Sequence, residues 1–255
     1  MKRHLLSIIV ILCTISSLWA QKKDYVGVSL GVDYALLNDN AVGDVPMKSL
    51  MGSASMGFMH IGENNRWGVN IKGGFGFTNT YNFPSVSSRA ADSYYFSLSG
   101  SYLHRISDKT HKWRWYLGGK ADATLYINQI LSFTNNEANY FFHSGIGPSG
   151  KVERDIKLFK RDWTLDMGLD FDALAVVVRP SYVLPFVEDG IRNVTLATMN
   201  DYGNYSTRIG IFRTMKNGNA MRVQYRWRYD FYSRENTVRH AMHSISFTLY
   251  FNSSK

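Results

Sequence analysis

The sequence predicts an all-β fold: a transmembrane antiparallel up-and-down β-barrel of about ten strands, following a cleaved signal peptide. Three observations predict it. Long segments alternate strictly between apolar and polar residues, as Met221, Val223, Tyr225, Trp227, Tyr229 and Phe231 do against Arg222, Gln224, Arg226, Arg228 and Asp230. Successive side chains of a strand point to opposite faces, so this segment has one aromatic face and one charged face. Such segments run about 10–13 residues, matching the ~9–11 of a tilted membrane strand and exceeding the ~5–6 typical of soluble sheets. Finally, the connections alternate between tight polar turns and long loops, the pattern of an up-and-down barrel whose two ends differ.

The strands follow in order. The first runs from Tyr25 to Leu36, with Val26, Val28, Leu30, Val32 and Tyr34 on one face. The second, near Leu50 to Ile61, is rich in Gly, Ser and Met and leaves its register open. The third sets Trp67, Val69, Ile71, Phe75 and Phe77 against Asn70, Lys72, Gly74 and Gly76. The fourth sets Tyr94, Phe96, Leu98 and Tyr102 against serines, and the fifth sets Trp113, Trp115, Leu117, Ala121 and Leu125 against Arg114, Tyr116, Lys120 and Asp122. The sixth, about Asn139 to Arg154, holds Gly145, Gly147, Pro148 and Gly150, which predict a kink or bulge. The seventh opposes Trp163, Leu165, Met167, Leu169 and Phe171 to Thr164, Asp166, Gly168, Asp170 and Asp172. The eighth is Tyr205 to Thr214, the ninth Met221 to Phe231, and the tenth carries Ile245, Phe247, Leu249 and Phe251 outward. Twelve strands result if Leu174 to Phe186 forms a further hairpin. Trp67, Trp113 and Trp163 open their strands, while Phe75, Phe77, Phe171, Tyr229 and Phe231 close theirs. These are two aromatic girdles at membrane–water interfaces. A secreted sandwich with an aromatic core is the alternative reading of the same alternation.

The first residues predict export. Lys2, Arg3 and His4 precede an apolar run from Leu5 to Leu12, and Ala20 precedes Gln21 as a cleavage point. Residues 1–20 are therefore expected as signal peptide and 21–255 as the barrel domain. Lipidation at Cys13 is the competing reading, disfavoured by the bulky Leu12 before it and the short apolar run it would leave. Cleavage at Ala20 removes the only cysteine, leaving no disulfide, thiol nucleophile or Cys-ligated metal. The formal net charge is +9, but the basic residues are spread through strands rather than clustered. That spread, with export, points away from nucleic acid and toward anionic lipid head groups. No later segment approaches the ~18 apolar residues of a helical span.

The last strand, Ser244-Ile245-Ser246-Phe247-Thr248-Leu249-Tyr250-Phe251, resembles the C-terminal targeting strand of Gram-negative outer-membrane β-barrel proteins. In that family the strand is read by the barrel assembly machinery, and its aromatic is usually the final residue. Here Asn252 to Lys255 follow. The resemblance implies the outer membrane of a Gram-negative bacterium, surrounding lipid, and the assembly machinery as a partner. It reaches architecture and no functional subfamily.

Candidate chemistry is sparse. The inner face is expected to carry Lys72, Arg114, Lys120, Asp122, Asp166, Asp170, Arg208, Arg222, Arg226 and Arg228 as lumen-lining residues. With Phe231 opposite Arg239, Asp230 faces His240, both inward and within hydrogen-bond reach. Asp33 is expected to join them on barrel closure, with Asp170 and Asp172 reaching the same rim. A carboxylate–histidine group can activate water, so Asp230, His240 and Asp33 are the catalytic candidates. The plainer reading is a cross-strand pair fixing the hairpin register. His143-Ser144 is a poor dyad because neighbours face opposite sides. His240 and His243 fail as a metal pair for the same reason, and no metal or cofactor motif is present. The leading function is a non-enzymatic structural or interaction role through long external loops, especially residues 178–203. A narrow solute channel with an Arg/Asp-lined lumen and a rim hydrolase acting on lipid or peptide are the alternatives.

Overall fold

The computed structural model describes residues 23–40, 43–80, 91–108, 110–130, 138–179, 194–234 and 237–254. The signal-peptide expectation lies outside the described residues, as do parts of each long loop. Twelve strands form one antiparallel sheet: β1 (Lys23–Asp39), β2 (Gly43–Ile61), β3 (Asn65–Thr80), β4 (Ala91–Arg105), β5 (Trp113–Ile130), β6 (Ala138–Leu158), β7 (Arg161–Phe171), β8 (Leu174–Val178), β9 (Val194–Thr198), β10 (Tyr202–Thr214), β11 (Ala220–Tyr232) and β12 (Val238–Asn252). Ten of them close into a barrel, each pairing with its neighbour in sequence except where β7 pairs with β10. The seam joins β1 to β12 from Tyr25↔Asn252 to Asp39↔Val238. Closure satisfies the backbone polar groups that a bilayer would otherwise leave bare.

The strands are longer than the alternating segments suggested, reaching 21 residues in β6. Alternation marks where a strand crosses lipid, while the ladder continues past it into the polar ends. The extra strands are a hairpin, as one reading allowed: β8 pairs with Val194–Thr198, and the expected end near Phe186 lies outside the described residues. It does not add staves to the wall. β6 pairs with β7 at Ser149↔Asp170 and with β8 at Ile146↔Leu174, so one extra residue enters the β7–β8 side. That is a β-bulge at Asp172-Ala173, with Ala173 N donating to Ile146 O at 2.9 Å and Asp172 N to Asn204 O at 3.0 Å. Gly147 permits it, since a Cβ there would collide with the Phe171 carbonyl and the Asp172-Ala173 backbone. β8 and β9 thus carry the wall onward above β7 and β10.

The two faces have opposite chemistry. Val28, Leu30, Val32, Ile71, Phe96, Leu98, Leu117, Leu169, Ile245 and Phe247 are exposed on the outside, Leu30 by 69%. An apolar exterior of this extent on a closed barrel is a lipid-facing belt. Both ends carry aromatic rings. Trp113 and Trp163 lie beneath Arg154 and Arg213 at 5.0 and 5.6 Å on the side of the tight turns. Phe75–Phe77, Tyr205–Phe231 and Tyr229–Phe231 cluster on the loop side with centroids 5.3–6.3 Å apart.

Inside, the barrel changes along its axis. The loop-side half holds an apolar cluster of Ala35, Met51, Tyr95, Tyr126, Phe141, Val177, Tyr202, Tyr232, Val238 and Met242. A polar belt crosses four strands beside it: Ser49 Oγ and Thr78 Oγ1 are 2.5 Å apart, Thr78 bonds Ser93, and Ser93 donates to Asn128 at 2.6 Å. The turn-side half holds a cavity of about 410 Å³.

Candidate functional site

β11 organises the interior, since its inward residues Arg222, Arg226, Arg228 and Asp230 sample every level of the lumen. At the turn end, Glu153 of β6 faces Arg66, Arg114 and Lys151 at 3.3, 3.4 and 2.8 Å. Arg114 also grips Asp155 at 2.6 Å. One level up, Arg222 pairs with Asp166, and Arg208 meets Asp170 at 2.6 Å while Ser149 donates to the same carboxylate. Higher still, Lys72 binds Asp33 at 2.9 Å, and the Tyr95 hydroxyl donates to that carboxylate.

The densest knot lies just below the apolar cluster. The Arg228 guanidinium contacts Asp230 at 3.1 Å and Asp122 at 3.5 Å, donates to His143 Nε2 at 2.8 Å and reaches Thr124 at 3.2 Å. Asp230 and His240 face each other across the ladder as the register predicts, with His240 Nδ1 3.3 Å from the carboxylate. His143 completes the group, 3.9 Å from Asp230. Lys120 bridges Asp122 and Asp172 at 3.0 and 2.7 Å. Ligand atoms of Asp122, His143 and Asp172 lie within 4.8 Å of one another, a spacing that suits a cation. The Lys120 ammonium already supplies that positive charge between the two carboxylates.

Of the residues expected to line the lumen, Lys72, Arg114, Lys120, Asp166, Asp170, Arg208, Arg222 and Arg226 border the turn-side cavity. Asp122 and Arg228 lie above it, within the knot. The expected convergence at the rim does not form. Asp33, Asp170 and Asp172 are each held by a different cation, and none bonds to Asp230. The reason is the tilt of the strands, which sets side chains of similar rank along the chain at different heights and angles around the axis. Nor is Asp230 at a wet rim: it is wholly buried, and the cavity touching His240 is about 30 Å³, room for roughly one water. His143 was absent from the expected group. Strand spacing left open which of His143 and Ser144 faces inward, and the approach of His143 to Asp230 and Arg228 runs across the lumen.

A closed barrel with a lipid-facing apolar belt, aromatic girdles and a charged interior defines the class: a membrane-embedded β-barrel of the kind found in Gram-negative outer membranes. No family model matches the sequence, and no curated protein matches it. Solved structures similar to it are barrels. The translocator domain of autotransporter NalP from Neisseria meningitidis aligns at TM-score 0.45 and 10% identity, covering 98% of this chain and 95% of that one. The COG4313 outer membrane channel from Pseudomonas putida F1 aligns at 0.42 and 11%, covering 92% and 98%. Neisserial surface protein A aligns at 0.37 and 11%, covering 89% and 97%. The class follows from this chain's own closure and faces.

Proposed function

We propose that this chain is a non-enzymatic protein of a Gram-negative outer membrane, working through its loop face toward an external partner or a larger complex. Assembly through the β12 strand by the barrel assembly machinery belongs to the same reading. The observation that carries it is the filled loop-side lumen. Tyr95, Tyr126, Phe141 and Tyr202 are buried there above the Arg228–Asp230–His143 knot and take up much of the loop-side interior. A ten-stranded wall sits close to the size at which side chains alone fill the interior. A loop-side lumen filled in this way leaves the loops as the surface for work.

Planar-bilayer recording of the folded, reconstituted protein tests this reading. Silence is expected, and removal of residues 180–193 should leave the barrel folded while abolishing crosslinks to its partner on intact cells. Steady ion conductance would overturn it. One observation favours a second reading, a narrow channel: the turn-side cavity is bordered by Arg208, Arg222 and Arg226 and reaches the middle of the barrel. That reading expects conductance that changes in Arg226→Ala. The rim hydrolase has little room, because the cavity at His240 holds about one water and no peptide or lipid.

A further inference from the structure

We propose that the turn-side half of the lumen is a binding site for a small, multiply charged oxyanion, anchored by Arg226. The site rests on no property of the loop face, so it stands or falls separately from the reading above.

The charges inside this half do not cancel. The cavity is bordered by Glu153, Asp166 and Asp170 as its acids, against a larger set of lysines and arginines. Each of those acids is already engaged: Glu153 by three cations, Asp166 by Arg222, Asp170 by Arg208. Lys72 is taken up by Asp33. Arg226 is left over. Among the described residues it makes neither an ion pair nor a hydrogen bond, and its Nε is sealed from solvent.

Its position makes this costly. Arg226 lies directly across the ladder from Arg208, and its other cross-strand neighbour is Ser244. Like charges directly opposed on neighbouring strands repel, and a guanidinium inside a wall is stable only when paired or wet. An anion seated between the two arginines relieves both penalties. Guanidinium groups present a planar fork that fits the paired oxygens of a phosphate or carboxylate. A volume of about 410 Å³ is within the range of small-ligand sites and too small for a folded partner. The lining continues to Lys23, Ile61 and Thr214 at the turn end, which gives an aqueous route in and places the ligand among free solutes of that side.

Calorimetric titration of the full-length folded barrel in non-ionic detergent tests the proposal, with inorganic pyrophosphate and citrate as probes. Saturable binding of at least one probe is expected, one per barrel, weakening as sodium chloride rises. Stronger pyrophosphate binding assigns a phosphate ligand and stronger citrate binding a carboxylate. Arg226→Gln should weaken binding about tenfold or more, the usual effect of losing a charge-assisted hydrogen bond. Gln224→Glu, which sets a carboxylate on the same inner face two residues away, should do the same by supplying an internal counter-ion. It keeps the test open should Arg226→Gln fail to fold. Arg161→Gln, at the exposed start of β7 and outside the cavity, should bind as the parent does. Absence of saturable binding by the folded parent, or an equal loss in Arg161→Gln, would overturn the site.

Discussion

Replacing Arg228 with methionine should cost the barrel about 3–5 kcal/mol. The figure is the usual penalty for removing one partner of a buried ion pair and leaving the other charged. Here the stranded group is Asp230. Arg228 is its nearest cation at 3.1 Å, and without it the carboxylate keeps His240 at 3.3 Å and the Tyr202 hydroxyl at 3.5 Å. Asp122 is less affected, because Lys120 still stands 3.0 Å away. Adding Asp230→Asn removes the stranded charge, so the double variant should recover about half of the loss or more. Urea titration of the barrel folded into phospholipid vesicles is the assay, with the folded fraction read from the faster gel band of unheated samples. A loss below about 1 kcal/mol in Arg228→Met, or a double variant no better than the single one, would refute the reasoning: water would then be solvating Asp230 directly, and the knot would not be dry.

Other substitutions probe the wall and the plug. Leu30→Arg, in the middle of β1 on the lipid face, should destabilise by about 2–4 kcal/mol in the same titration, whereas a polar change at inward Ser246 should cost much less. Gly147→Val should cost about 3 kcal/mol or more, since the side chain meets the bulge backbone and cannot rotate away; retention of full stability would mean the bulge can migrate. The double variant Tyr126→Ala with Phe141→Ala should turn a silent barrel into a conducting one, because these rings stack 6.4 Å apart in the middle of the closure. Continued silence in a folded sample would place the seal elsewhere.

The outer architecture was legible because strand alternation has a period of two, broken in the described wall only near Leu37–Asp39 and at the Asp172-Ala173 bulge. Leu30 and Phe247 face lipid, Arg226 and Asp166 face inward, and Asp230 meets His240, all from local spacing. The interior pairing was not legible. Arg228 joins Asp122 and His143 from more than eighty positions away, and Asp39 meets Arg179 at 2.6 Å across 140 positions. Such contacts depend on how far each strand is staggered against the next around the whole circumference, a property that no single segment encodes. The return strand ending at Thr198 was not legible either, because β9 has five residues, too few for periodicity to separate a strand from an apolar loop.

The seam between β1 and β12 dictates when folding can finish. Its partners, Tyr25 with Asn252 at one end and Asp39 with Val238 at the other, are the most distant in the chain, and Asp24 N closes the mouth by donating to Ser254 Oγ at 2.7 Å. Contacts of such long range form slowly, because loop entropy must be lost before any bond repays it. Until β12 pairs with both, β1 and β11 are raw edges, open to pairing with any passing strand. Both edges therefore have to be kept from other strands until β12 docks as the clasp that converts a ribbon into a ring.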